Sequence, residues 1–124
     1  MILKTLGLVA VLVGLSAAPA IAESACQEPI APAAVDGSTA TTAQMNGAHD
    51  DVVTFIKQSD DYQSCLYKEL TDAKADAVKN KKDLDPAIEA AVAAKVDSNQ
   101  HLKEKVGTEF NAAVVAYKAK HPKG

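Results

Sequence analysis

Tyr62-Gln63-Ser64-Cys65-Leu66 lies near the middle of the longest stretch of helical periodicity in this 124-residue chain. Around it, apolar and small residues recur at alternating steps of three and four, which is typical of a helix with one buried face. We predict that this helix covers residues 39–80, because Ser38 to Thr42 offer several N-cap residues. The predicted face comprises Met45, Ala48, His49, Val52, Phe55, Ile56, Ser59, Tyr62, Gln63, Leu66, Leu70, Ala73 and Ala77.

A second helix is predicted over residues 85–120. Asp85 is a suitable N-cap, Pro86 suits the first helical position, and Pro122 ends the pattern. Its predicted face comprises Ile88, Val92, Val96, Asn99, Leu102, Val106, Phe110, Ala113, Val114 and Tyr117. The two faces predict an all-α fold, a long antiparallel two-helix hairpin of the coiled-coil type. The alternative is a three-helix bundle in which the second helix breaks at Asp97-Ser98.

The first 22 residues have the features of a signal peptide. Lys4 precedes the apolar run Leu6–Leu15, and Ala20-Ile21-Ala22 is a small-x-small cleavage site. The mature chain is therefore predicted to start at Glu23 and to form a single helical domain, residues 23–124, in the periplasm or outside the cell. Cleavage after Ala20, a lipoprotein and a retained anchor are the alternatives.

The chain has two cysteines, Cys26 and Cys65. Exported proteins meet an oxidising environment, which favours a disulfide between these two residues. Free thiols and an intermolecular bond remain the alternatives.

Residues 23–38 are predicted to be extended, because Pro29 and Pro32 prevent a helix. Polyproline II has three residues per turn, so Cys26, Pro29, Pro32 and Val35 would share one edge. Thirteen residues in that conformation span about 40 Å, and the 26 residues of helix from Thr39 to Cys65 span about 39 Å. A disulfide therefore predicts that this segment runs antiparallel along helix 1. The expected neighbours are Ser59 and Tyr62 for Pro29, Val52 and Phe55 for Pro32, and Met45 and Ala48 for Val35.

One pattern of residues resembles a known group of proteins. Cys26-x2-Pro29-x2-Pro32, followed by Asp36-Gly37, Met45 and Tyr62-Gln63-x-Cys65-Leu66, is similar to a pattern in small exported proteins of alphaproteobacteria. The resemblance covers residues 26–66 and fades through the second helix. It implies a structural framework and brings with it no activity, cofactor or catalytic residue.

The charge composition argues against some partners. The predicted mature chain contains 12 Lys, no Arg and 16 acidic residues, which gives a net charge of −4. Arg is the preferred residue for bidentate phosphate contacts and for reading base edges. We therefore expect no nucleic-acid binding, and no membrane binding after signal cleavage. Residues 23–66 have a net charge of −6 and residues 67–124 of +2, as expected for helices with complementary faces.

Candidate chemical groups are few. His49, with Asp50 and Met45, is one possible ligand set for a soft or borderline metal. The acidic pairs Asp50-Asp51 and Asp60-Asp61 lie about 15 Å apart on one helix, too far to share an ion. Cys65 has no His or Asn at a spacing that indicates a catalytic thiol. We predict no enzyme activity, no catalytic residue, no cofactor and no metal site.

Two residues on the predicted faces are expected to have structural roles. Asn99 interrupts the apolar face of helix 2, and such a residue fixes the register of paired helices. We expect it to face Ser59 or Gln63. Tyr62 is expected to pack in or beside the core. Apolar residues outside the seam, such as Val53, Tyr67 and Val115, could form a homodimer patch.

The sequence thus predicts a non-enzymatic interaction or structural module with an unidentified protein partner. The alternative is a periplasmic carrier of a metal or small ligand, which would use Met45, His49 and nearby acidic residues.

Overall fold

The computed structural model describes residues 24–123, which form two long helices and no strand. Helix α1 is Thr42–Lys79 and helix α2 is Pro86–Lys120. They pack side by side as the predicted antiparallel hairpin. Helix α2 is continuous through Asp97-Ser98, so the three-helix alternative is wrong. The predicted signal peptide, residues 1–22, and Glu23 lie outside the described residues.

Helix α1 begins three residues later than predicted. The Asp36 carbonyl accepts hydrogen bonds from the backbone N–H groups of Thr39 and Ala40, so these residues form a turn. The helix starts only after Thr41, whose side chain accepts a hydrogen bond from the Gln44 N–H. The Gln44 side chain accepts one from the Thr41 N–H in return. This capping box satisfies two backbone donors that the helix leaves unpaired.

The connection between the helices is short and closely specified. The Lys82 N–H donates to the carbonyl of Ala77, and the Lys81 N–H donates to that of Val78. This is a Schellman motif, and it places Lys81 at a φ of 53°, where glycine is the usual residue. The carboxylate of Asp85 then caps α2, with Pro86 at its first position.

The buried faces follow the predicted periodicity with two exceptions. The buried residues are Met45, Phe55, Ser59, Tyr62 and Leu66 on α1 and Val92, Asn99, Val106 and Ala113 on α2. His49 is exposed, because it lies at the edge of the face and pairs with Asp50. Ile88 is 42% exposed, since it lies in the first turn of α2, at the end of the hairpin where neither helix has a buried residue.

Residues 24–35, which we call the strap, lie along the hairpin without regular secondary structure. Cys26, Pro29, Pro32 and Val35 are all half-buried, whereas Ile30 is 91% exposed. The strap begins at the disulfide to Cys65. Its far end packs in a cluster of side chains that includes Met45. It therefore retraces α1 as the disulfide requires.

The strap and the turn that follows it also reach α2, which the sequence did not predict. Gly37 is buried, and a Cβ atom built on it would lie 1.8 Å from the carbonyl oxygen of Ala113. The backbone of the turn therefore contacts the backbone of α2, and only glycine permits that approach. Val35 adds side-chain packing against the cluster of Ala40, Met45 and Ala113.

Candidate functional site

The disulfide clasp consists of Cys26, Cys65, Glu69 and Ser24. The Cys26–Cys65 bond has an S–S distance of 1.99 Å and joins Cα atoms 5.7 Å apart. The predicted disulfide is thus confirmed. It fixes the start of the strap to the middle of α1, and the 39-residue separation closes a large loop.

Glu69 holds the first residues of the strap beside the disulfide. One carboxylate oxygen accepts a hydrogen bond from the Ser24 hydroxyl at 2.8 Å, and the other accepts one from the Ala25 N–H at 2.9 Å. The Cys26 N–H donates to the Ser24 hydroxyl at 3.2 Å. Because Glu69 lies one helical turn after Cys65, the two side chains share a face of α1.

An open recess lies beside the clasp, between the strap and α1. Pro29 and Tyr62 line it, as expected for neighbours, together with Gln58 and Asp61. Burial raises the pKa of the Tyr62 hydroxyl above its ordinary value, and the negative charges of Glu28 and Glu69 raise it further. The ring of Tyr62 packs in a core cluster with Leu66 and Val92.

A polar layer crosses the hairpin seam next to this cluster. Asn99 and Ser59 have no exposed surface, and the Asn99 amide donates to the Ser59 hydroxyl at 3.2 Å. The Gln63 amide donates to the Asn99 oxygen at 2.8 Å. Asn99 thus contacts both residues that the sequence offered as partners. Each buried polar atom of the layer has a partner, which is the condition for burying it without a large penalty.

The opposite end of the strap closes the apolar part of the seam. Pro32 and Val35 lie over Ala48 and Val52 of α1 and Val106 of α2, as the lining of a narrow cleft between them shows. The volume of that cleft is about 10 Å³, room for about one water molecule. Pro32 therefore acts here as a packing residue, and the cleft does not admit an organic ligand.

The residues considered for metal binding at His49 lie in different surroundings. The His49 ring contacts Asp50 at 3.3 Å and lies 5.9 Å from the ring of Phe110, while Met45 is buried in the cluster around Ala113. Asp60 pairs with Lys103 across the seam, and Asp61 lies 3.6 Å from Lys57. Among the described residues, a group of three possible ligand atoms from His, Cys or acidic side chains occurs at Cys26, Cys65 and Glu69 instead.

Sequence reasoning missed the roles of Glu69, Ser24 and Gly37. The spacing Cys65-x3-Glu69 was a usable signal for the first, because residues four apart share a helical face. The contact of Ser24 with Glu69 and that of Gly37 with Ala113 depend on where the strap lies. The local sequence holds no signal for either.

Comparison with known proteins adds no family assignment. No protein-family model matches this chain, and no curated protein or solved structure is significantly similar to it. Within residues 24–123, neither helix has an apolar stretch long enough to cross a bilayer.

Proposed function

We propose that this protein is a non-enzymatic interaction or structural module that works in the periplasm or outside the cell. The proposal assumes export by the signal peptide, residues 1–22, and cleavage before Glu23. The Cys26–Cys65 disulfide supports an oxidising compartment. The absence of Arg and the net charge of −4 favour a protein partner over nucleic acid or an anionic membrane.

The observation that carries the proposal is a row of three exposed apolar side chains on one side of α1, which we call the line; the polar residues Asp60, Ser64 and Thr71 lie between them. Val53, Tyr67 and Val78 are 51%, 53% and 77% exposed. They are separated by 14 and 11 residues, close to four and three whole turns, so they lie on one side of the helix. The buried residues of α1 face the seam, which leaves this line free for a partner.

Two kinds of partner fit this surface. A second copy of the chain would pair the lines of two α1 helices. Val115, 69% exposed on α2, points away from the seam and would offer a separate apolar contact. A different protein with an apolar helix would contact the same residues. Small-molecule binding has less support, because the cleft under the strap holds about one water molecule. The recess beside the clasp is larger, about 310 Å³, but it is open to solvent and does not enclose a ligand.

The test is site-specific photocrosslinking in cells that export the protein. A photoreactive side chain at position 67 is expected to capture one discrete partner or a second copy. The matched control is position 91, where Ala91 is exposed on α2 and lies off the line. Sedimentation of the purified mature chain separates the two kinds of partner, since a homodimer has twice the mass of one chain. Equal labelling from both positions, or none from position 67, would contradict the proposal.

A further inference from the structure

Three atoms of metal-binding type meet at the disulfide clasp. The sulfur atoms of Cys26 and Cys65 and a carboxylate oxygen of Glu69 all lie within 4.8 Å of one another. All three side chains are half-buried, so solvent ions can reach them. Two of the ligands come from one turn of α1 and the third comes from the strap. The site therefore exists only while the strap lies on the hairpin.

We propose that Cys26, Cys65 and Glu69 form a binding site for a thiophilic divalent cation, with Zn²⁺ as the reference ion, when the disulfide is reduced. Two thiolates and one carboxylate are a common ligand set for zinc, whereas magnesium and calcium prefer sites made only of oxygen. The site uses different residues from the Met45 and His49 set that the sequence suggested. It is also independent of the interaction role, because the line of Val53, Tyr67 and Val78 takes no part in it.

The chemistry of loading the site balances with a named reductant. A water-soluble trialkylphosphine cleaves the S–S bond and becomes the phosphine oxide, with its oxygen taken from water. The phosphine supplies two electrons and the water supplies two protons, which convert the sulfur atoms of Cys26 and Cys65 to thiols. Each thiol then loses its proton as its sulfur bonds the cation, so loading releases two protons per ion. The expected bond lengths are about 2.3 Å to sulfur and about 2.0–2.2 Å to oxygen, with water as the fourth ligand.

The hydrogen bonds of Glu69 support a role as a ligand. Ser24 and Ala25 each donate to one of its oxygens, and this holds the carboxylate in a position within 4.8 Å of the sulfur atoms. Carboxylates that bind metals are themselves usually oriented by such hydrogen bonds. Each oxygen keeps a lone pair free for the cation. The packing of Val35 and Gly37 against the Ala113 region keeps the far end of the strap close to the hairpin when the S–S bond is reduced.

The experiment compares reduced and oxidised mature protein in titrations with Zn²⁺ and with Cd²⁺. The reduced protein is expected to bind one ion, to release two protons, and to give the ultraviolet charge-transfer band of a Cd²⁺–thiolate. The oxidised protein is expected to show none of these. Glu69→Gln should weaken binding at least about tenfold, whereas Glu28→Gln, a change of another acidic residue near the clasp, should leave it unchanged.

Stability provides a second measurement that does not require the reduced strap to be ordered at the start. Zn²⁺ should raise the melting temperature of the reduced wild type, because a ligand that binds only the folded chain stabilises it. The rise in melting temperature should be much smaller for reduced Glu69→Gln and absent for Cys65→Ser. The proposal is overturned if the reduced wild type binds no ion and shows no rise. It is also overturned if Glu69→Gln matches Glu28→Gln in both measurements.

Discussion

The two ends of the hairpin differ in how many chain segments share the core. From Met45 to Leu66, α1 has α2 on one side and the strap on another, and every buried residue of α1 lies in this half. Beyond Leu66 on α1 and before Val92 on α2, no residue of either helix is buried. At that bare end, Val78 is 77% exposed.

The difference shows what a third layer contributes to a small helical protein. Two helices alone bury one stripe each, and a stripe rich in Ala and Val yields little apolar area. The strap covers the open side of the stripe at the Met45 end, where Ala40, Met45 and Ala113 are buried. We therefore expect stability to be concentrated in the half that the strap covers, and five predictions test this.

The largest effect should follow from removing the clasp. In the double variant Cys26→Ser/Cys65→Ser, the free energy of unfolding should fall by about 4 kcal/mol, because a loop of about 40 residues is no longer closed in the unfolded chain. Thermal melts followed by circular dichroism should show a midpoint at least about 15 °C lower. Wild-type protein under reductant, without metal, should match the variant. Coincident melts with and without reductant would show that the strap holds without its bond.

The next effect should come from the buried polar layer. Asn99→Ala should lower the free energy of unfolding by about 2 kcal/mol, because the Ser59 hydroxyl loses its partner inside the seam. Urea denaturation measures this change. Gln100→Ala is the control. Gln100 is exposed, so this substitution should leave the free energy of unfolding nearly unchanged. If the substitutions at positions 99 and 100 lower the free energy of unfolding equally, the polar layer does not stabilise the seam.

Two glycines should respond in opposite directions to the same substitution. Gly37→Ala should destabilise by about 1–3 kcal/mol, because the new methyl group overlaps the carbonyl of Ala113. Gly47→Ala should stabilise by about 1 kcal/mol, since nothing lies within 4 Å of its Cβ position and alanine favours the helix. Matched urea titrations of both variants decide the point. If Gly37→Ala is neutral, the turn can move away from α2 at little cost.

The bare end should gain stability from a change of one residue. Lys81→Gly should raise the free energy of unfolding by about 1 kcal/mol, because glycine adopts the positive φ without the strain of a Cβ. The neighbouring Lys82→Gly is the control and should not stabilise, because no positive φ occurs there. Hydrogen exchange should show slower opening of the last turn of α1 in Lys81→Gly. If exchange slows by the same factor in the last turn of α1 and in the strap, the bare end does not open locally before the rest of the hairpin.

The smallest effect should appear at alkaline pH. The folded-state pKa of Tyr62 is raised above 10.0, so the unfolded chain loses the hydroxyl proton first. The stability that Tyr62 contributes is fully present below its pKa in the unfolded chain. It is lost as the pH rises through its pKa in the folded chain. Urea midpoints should therefore fall more steeply above pH 10 in wild type than in Tyr62→Phe. If the urea midpoints of the two proteins fall in parallel, groups other than Tyr62 cause the loss of stability at alkaline pH.

The elements of the fold were predictable because their signals are local. The 3.6-residue period of the apolar faces and the Asp85-Pro86 pair predicted both helices and the turn between them. The boundary at Thr42 was missed because the turn that begins at Asp36-Gly37 continues through Ala40 before the helix starts. The parts of the clasp beyond its two cysteines were missed because Ser24 and Glu69 are 45 residues apart in sequence.

The sequence by itself determined two helices, their antiparallel pairing and a disulfide that brings the strap back along α1. Periodicity, capping residues and the reach of an extended chain are enough for those conclusions. Only the tertiary structure decided that the turn after the strap contacts α2 at Gly37, and that the Glu69 carboxylate lies within 4.8 Å of the sulfur atoms. These contacts join residues distant in sequence, and their positions depend on the packing of all three segments together.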